Sequence, residues 1–143
     1  MNGLKEAKLD KKRIILSKDF GINPEEKVVP MLDSRYPNIA FIYPEEEFEY
    51  RAGQFLDKLE EEKKSGKITR EEYNQYIRQL ASECAFPYEK LDSQRRIILD
   101  DQIINSLQLT DSVIVIGDKN KLVLCKDVKD YNNYLEEVKS KTK

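Results

Sequence analysis

The sequence predicts an α+β fold made of two tandem, pseudo-symmetric halves that share one β core and carry flanking helices. Three observations predict it. The phrase "LDKKRIIL" (residues 9–16) returns as "LDSQRRIIL" (residues 91–99), and a lysine precedes each copy, Lys8 and Lys90. Each phrase opens a similar succession of strand, arginine box, strand, short turn, hairpin and helix, the signature of an internal duplication. Neither half has enough apolar surface to stand alone, so the copies are expected to pair their strands about a pseudo-twofold axis. The first half spans 1–66 and the second 67–143, with a linking helix at about 69–84, and the two form one compact unit.

The elements follow in chain order. "LKEAKLD" alternates apolar and polar residues and reads as a strand; "RIILS" is a short β-branched run suited to a buried strand. "VVPM" and "IAFIY" are two further strands, joined by the turn-rich "LDSRYPN". Pro30 places the first of this pair at a sheet edge or ends it early. Phe48, Ala52, Phe55 and Leu59 then fall on one stripe of a helix that breaks at Ser65-Gly66. A second helix starts at the capping-box pair Thr69 and Glu72, with Ile68 placed to staple onto Tyr73. Its apolar face is Tyr73, Tyr76, Ile77, Leu80 and Ala81, and Pro87 closes the region. Beyond it "YEKLD" and "RRIIL" read as strands and "DDQIINSL" as a short helix or turn. "SVIVIG" and "KLVLC" form a hairpin across "DKN". The last helix carries Val128, Tyr131, Leu135 and Val138 on one face.

Composition narrows the function. The formal net charge is −2 and charged residues make up 36% of the chain, so overall charge does not advertise a nucleic-acid partner. The chain has no histidine, which removes Ser-His and Cys-His catalysis and most zinc sites. No glycine-rich phosphate loop is present. Cys84 and Cys125 lack metal-ligand spacing and read as buried thiols. No apolar run reaches the roughly 20 residues needed to span a bilayer, and the first residues lack the apolar stretch of a signal peptide. A cytoplasmic location is expected, with no catalytic residues, cofactor, metal or small-molecule substrate. Paired acids such as Asp100-Asp101 could serve acid–base chemistry, but without a nucleophile or metal set an enzyme is the weaker reading.

The repeated box carries the remaining signal. An aspartate shortly before an arginine, in a turn between strands, can cap turn amides or pair with the arginine and so fix the loop. Exposed arginines and lysines at the same place can meet an anion, with DNA phosphate the commonest polymeric one. The first box favours the second role: Lys5, Lys8, Lys11, Lys12, Arg13 and Lys18 stand against Glu6 and Asp10. In the second, Lys90, Arg95 and Arg96 are offset by Asp92, Asp100 and Asp101. Both cationic loops are expected side by side on one rim.

With these boxes, "FIYPEEEF", "IRQLASECAFPYEKLD" and the closing "VIVIGDKNKLVLCKDVKDYNNYLEE" in this order, the chain resembles the MraZ family. These are bacterial regulators of the division and cell-wall gene cluster, related in fold to the AbrB/MazE swapped-hairpin proteins. The resemblance covers nearly the whole chain, as a divergent member. The first box is one residue short, neither keeps the family's glycine (Arg95 holds its place in the second), and the box proline is replaced by Ser17 and Asp100. The resemblance implies two AbrB/MazE-like halves in a shared β core or barrel. It implies a homo-oligomeric ring that binds repeated promoter boxes in double-stranded DNA, as a nucleoid-associated repressor. Carried over, Arg13 and Arg96 face DNA, with Lys11, Lys12 and Arg95 beside them, while Asp10 and Asp92 fix the loops. The alternative is an oligomeric interaction module of the same descent that has lost DNA binding, as the missing glycines and added aspartates suggest.

Overall fold

The computed structural model describes residues 3–33, 35–83 and 88–141. Cys84 and Pro87 lie outside them, as do the side chains of Leu80 and Ala81. The architecture is α+β, with a curled antiparallel sheet resembling half a barrel and four helices among the described residues. The strands are β1 (Leu4–Lys8), β2 (Arg13–Ile15), β3 (Lys27–Leu32), β4 (Ile39–Pro44), β5 (Glu89–Lys90), β6 (Arg96–Ile98), β7 (Ser112–Asp118) and β8 (Lys121–Cys125). The helices are α1 (Glu45–Lys64), α2 (Arg70–Glu83), α3 (Asp101–Leu107) and α4 (Val128–Lys141).

Six strands form the main sheet in the order β1-β7-β8-β4-β3-β5, while β2 and β6 pair separately as a two-stranded ribbon. At the centre of the main sheet β4 faces β8, with Phe41 opposite Val123. At the centre of the ribbon Ile14 faces Ile97. Two further backbone bonds continue the ribbon's own register by one residue at each end: the Leu16 N–H donates to the Arg95 carbonyl at 2.9 Å, and the Leu99 N–H to the Lys12 carbonyl at 2.7 Å. By the two-residue period Leu16 and Leu99 point inward like Ile14 and Ile97, and both are fully buried.

The central strands are apolar without a break because both their faces are covered. Ala40, Ile42, Leu122 and Leu124 point into the concave core with Ile14, Leu16, Ile97 and Leu99. Ile39, Phe41, Val123 and Cys125 point the other way, into a second cluster under α4. Burial pushes the Cys125 thiol up to about 12, with Asp130 and Asp127 adding to the effect. Pro30 is accommodated because β5 reaches only Lys27 and Val28 of β3, leaving one side of β3 uncovered at Pro30.

Helix ends follow local chemistry. The Glu72 N–H donates to Thr69 Oγ1 at 3.0 Å and the Thr69 N–H to Glu72 Oε1 at 3.2 Å, a reciprocal capping box. Past the end of α1, Gly66 takes a φ of +77°, a left-handed conformation that glycine adopts without penalty. Three expected stripes differ from what forms. On α2, Tyr76 of the expected apolar face is 39% exposed. Phe55 on α1 is 43% exposed, whereas Leu59 is buried. On α4, Tyr131, Leu135 and Val138 do pack on the second cluster, but Val128 is 40% exposed and Tyr134, outside the expected stripe, is buried. The cause is aromatic packing: the Tyr134 ring sits 4.8 Å from Tyr36 and 5.6 Å from Phe41, both edge-on, which sets the rotation of the helix.

Ile14 and Ile97 are 1% and 2% exposed. Truncating either leaves a cavity between ribbon and sheet, so Ile14→Ala and Ile97→Ala are each expected to cost about 2–5 kcal/mol of unfolding free energy in urea titrations. A loss below about 1 kcal/mol would show that the ribbon does not seal the core.

Candidate nucleic-acid interface

The site is built from the ribbon and the two loops that lead into it. In the first loop the Asp10 N–H donates to the Arg13 carbonyl and the Arg13 N–H to the Asp10 carbonyl, both at 2.9 Å. That closes a two-residue turn in which Lys11 and Lys12 have φ values of 51° and 66°. Positive φ at both central residues is the geometry of a type I′ hairpin turn, normally given to Asn and Gly. The second loop is one residue longer. The Arg95 N–H donates to the Asp92 carbonyl at 3.0 Å and the Asp92 N–H to the Arg96 carbonyl at 3.3 Å, and Arg95 has a φ of 60°. The glycine seat is thus left-handed in both loops, but a lysine and an arginine occupy it. The one-residue difference between the boxes becomes a difference of turn type.

The aspartates act differently. Asp92 Oδ1 accepts from the Gln94 and Arg96 N–H groups at 2.9 Å each, and Oδ2 accepts from Arg96 Nε at 2.7 Å. The Arg96 backbone N–H above all, then the Arg96 side chain and the Gln94 N–H, hold the Asp92 carboxyl below the usual aspartate range. Asp10 meets its turn through backbone bonds.

Each cation has its own surroundings. Arg13 is exposed on β2, and neither its guanidinium nor the Lys11 ammonium has a partner among the described residues. Lys12 Nζ lies 2.9 Å from Asp101, both side chains more than half exposed, so this pair holds weakly and is readily exchanged. Arg95 Nε donates to the Ile22 carbonyl at 3.3 Å, and Arg96 is held by Asp92 while its side chain stays 38% exposed. Asp100 is engaged as the N-cap of α3, accepting from the Ile103 N–H at 3.0 Å.

The ribbon fixes where these groups point. Ile14 and Ile97 face the core, so by the two-residue period Arg13, Ile15, Arg96 and Ile98 stand on the outer face. Arg13 lies opposite Ile98 and Arg96 opposite Ile15. The arginines therefore occupy one diagonal of the face, about 7–8 Å apart at the backbone, and the isoleucines the other. The expectation of two loops side by side on one rim needs correction. Because β2 and β6 run antiparallel, the loops that precede them leave from opposite ends of the ribbon. Sequence reading placed the arginines but missed Ile15 and Ile98; their place after a buried isoleucine in a period-two run was the available signal.

Two predictions follow from the loops. Lys12→Gly and Arg95→Gly each relieve a left-handed side chain and are expected to raise stability by about 0.5–1 kcal/mol in urea titrations, after the entropy glycine adds to the unfolded chain. Loss of stability in both would mean that these residues do not sit at positive φ. Asp92 should titrate, by carboxyl-resolved NMR, below an aspartate in an unfolded peptide. Its contribution to stability is then present above the unfolded-state value and lost as pH falls through the lowered one; a midpoint at or above the peptide value would contradict the bonds described.

No protein-family model matches this chain and no curated protein matches it, so what the ribbon does is read from its own chemistry.

Proposed function

We propose that the chain is a double-stranded DNA-binding regulator built from two tandem AbrB/MazE-like halves, 1–66 and 67–143, of the MraZ kind. The carrying observation is the outer face of the β2–β6 ribbon, where Arg13, exposed, and Arg96, half-buried and held by Asp92, stand on one diagonal. A two-stranded antiparallel ribbon fits the major groove, whose width is about 12 Å. Arginine there can lie on phosphate or reach the guanine edge, giving affinity and sequence preference respectively.

The tandem reading is supported by reciprocity in the pairings. Exchanging β1 with β5, β3 with β7 and β4 with β8 leaves the sheet order unchanged. The Leu9 N–H donates to Asp111 as the Leu91 N–H donates to Glu26, at 2.8 and 2.9 Å. The Leu16–Arg95 and Leu99–Lys12 bonds exchange in the same way. Such exchanges are what an axis through the Ile14–Ile97 and Phe41–Val123 pairs would produce.

One such face carries few free cations, so affinity is proposed to come from a homo-oligomeric ring engaging repeated boxes together. Avidity of this kind raises apparent affinity by about 10²–10⁴. Bound across a promoter of a division and cell-wall gene cluster, the ring represses by occlusion, as a cytoplasmic, nucleoid-associated protein without catalysis. The pairing of Arg96 with Asp92 and of Lys12 with Asp101 favours a second reading, an oligomeric module without DNA affinity.

The two separate in a fluorescence anisotropy titration of purified protein on duplexes enriched from a random pool. The DNA reading expects binding that falls by at least about tenfold between about 50 and 200 mM salt, and a similar loss for the Arg13→Ala, Arg96→Ala variant. Equal affinity of variant and wild type would remove the arginine role; large oligomers that retain no duplex at low salt would establish the second reading.

A further inference from the structure

The outer face of the ribbon holds more than arginines. Ile15 and Ile98 are 57% and 48% exposed, although each continues a strand whose preceding residue is buried. Single exposed apolar residues are ordinary, and isoleucine suits a strand for conformational reasons alone. These two differ from that background by position. They close the two ends of one small face, each directly opposite an arginine of the other strand, with Lys11 in the turn that leads into β2. The face therefore offers alternating cationic and branched apolar groups within about 5 Å of each other.

We propose that Ile15 and Ile98 are specificity-determining residues that contact thymine methyl groups in the DNA major groove. The inference rests on the DNA reading above and adds to it which bases are read. Charge chooses the occupant: Lys11 and Arg13 are exposed and without a partner among the described residues, whereas Arg96–Asp92 and Lys12–Asp101 are neutral pairs and Asp100 is engaged as a helix cap, leaving Asp10 as the acid beside the first turn. A second copy of the chain would instead bring like charges together on this face.

In the major groove the thymine C5-methyl is the one apolar group on a base edge, and aliphatic side chains recognise it by contact. The neighbouring arginine on the opposite strand can address guanine O6 and N7. Because Arg13–Ile98 and Arg96–Ile15 are the same pair met in opposite directions, the bound site is expected to be dyad-symmetric. It carries thymine and guanine at related positions in each half. Neither isoleucine supports the core, so both can be replaced without opening a cavity.

The experiment compares one duplex, enriched from a random pool by the wild-type protein, with the same duplex synthesised with deoxyuridine in place of thymidine. Uracil keeps every hydrogen-bonding group and lacks only the methyl. Wild-type affinity is expected to fall about fourfold for each methyl contacted, the transfer value of one buried methyl-sized group. The Ile15→Ala, Ile98→Ala variant is expected to bind both duplexes equally and to keep the wild-type salt dependence. Wild-type protein that binds both duplexes equally overturns this inference and leaves the DNA reading standing; absence of any duplex binding overturns both. A change of oligomer mass in sedimentation velocity for the isoleucine variant would assign the face to a second copy and also overturns it. The uracil comparison uses wild-type protein, so the test does not depend on the variant's folding.

Discussion

The contact on which the fold and the site both depend is that between Ile14 and Ile97. Two strands of three residues have little stability of their own, since short isolated ribbons are marginal in water. They persist because their inner side chains complete the concave core, beside Leu16, Leu91 and Leu99. That burial decides which residues look outward. A register shift of one residue would bury Arg13 and Arg96 and expose the isoleucines that close the core. The positions of the candidate site are therefore a consequence of core packing.

The loops show the opposite balance. Three basic residues, Lys11, Lys12 and Arg95, hold left-handed backbone that glycine or asparagine would hold more cheaply. Local strain of this size persists where the surroundings over-determine the conformation. Here the determinants are the paired Asp10–Arg13 bonds in one loop and the Asp92 carboxylate in the other. What the strained positions place at the ends of the ribbon is positive charge.

Much of this was legible in the sequence, for physical reasons that differ by element. The Thr69–Glu72 box and the Ser65-Gly66 break are local chemistry, and local chemistry survives folding. The runs "IAFIY" and "KLVLC" read as strands and form them; that both faces are covered emerges only from the packing. Long-range geometry was harder. Nothing in "LKEAKLD" and "YEKLD" foretells that the first makes a five-residue strand and the second a two-residue one. The face of α4 was misjudged because Tyr134 is chosen by Tyr36 and Phe41, residues from distant segments. The loops were expected together because the repeat suggests likeness, whereas antiparallel pairing separates them. The aspartates looked equivalent, but one missing residue changes the turn and frees Asp10 from the carboxylate bonds that Asp92 makes.

The most direct measurement is backbone amide chemical shifts on titrating duplex DNA into the labelled protein. The account predicts the largest changes at residues 11–15 and 95–98, along the ribbon and its loops, with the α4 face little altered. Changes confined to α1, α2 or α4, with ribbon amides unmoved at saturating duplex, would contradict it.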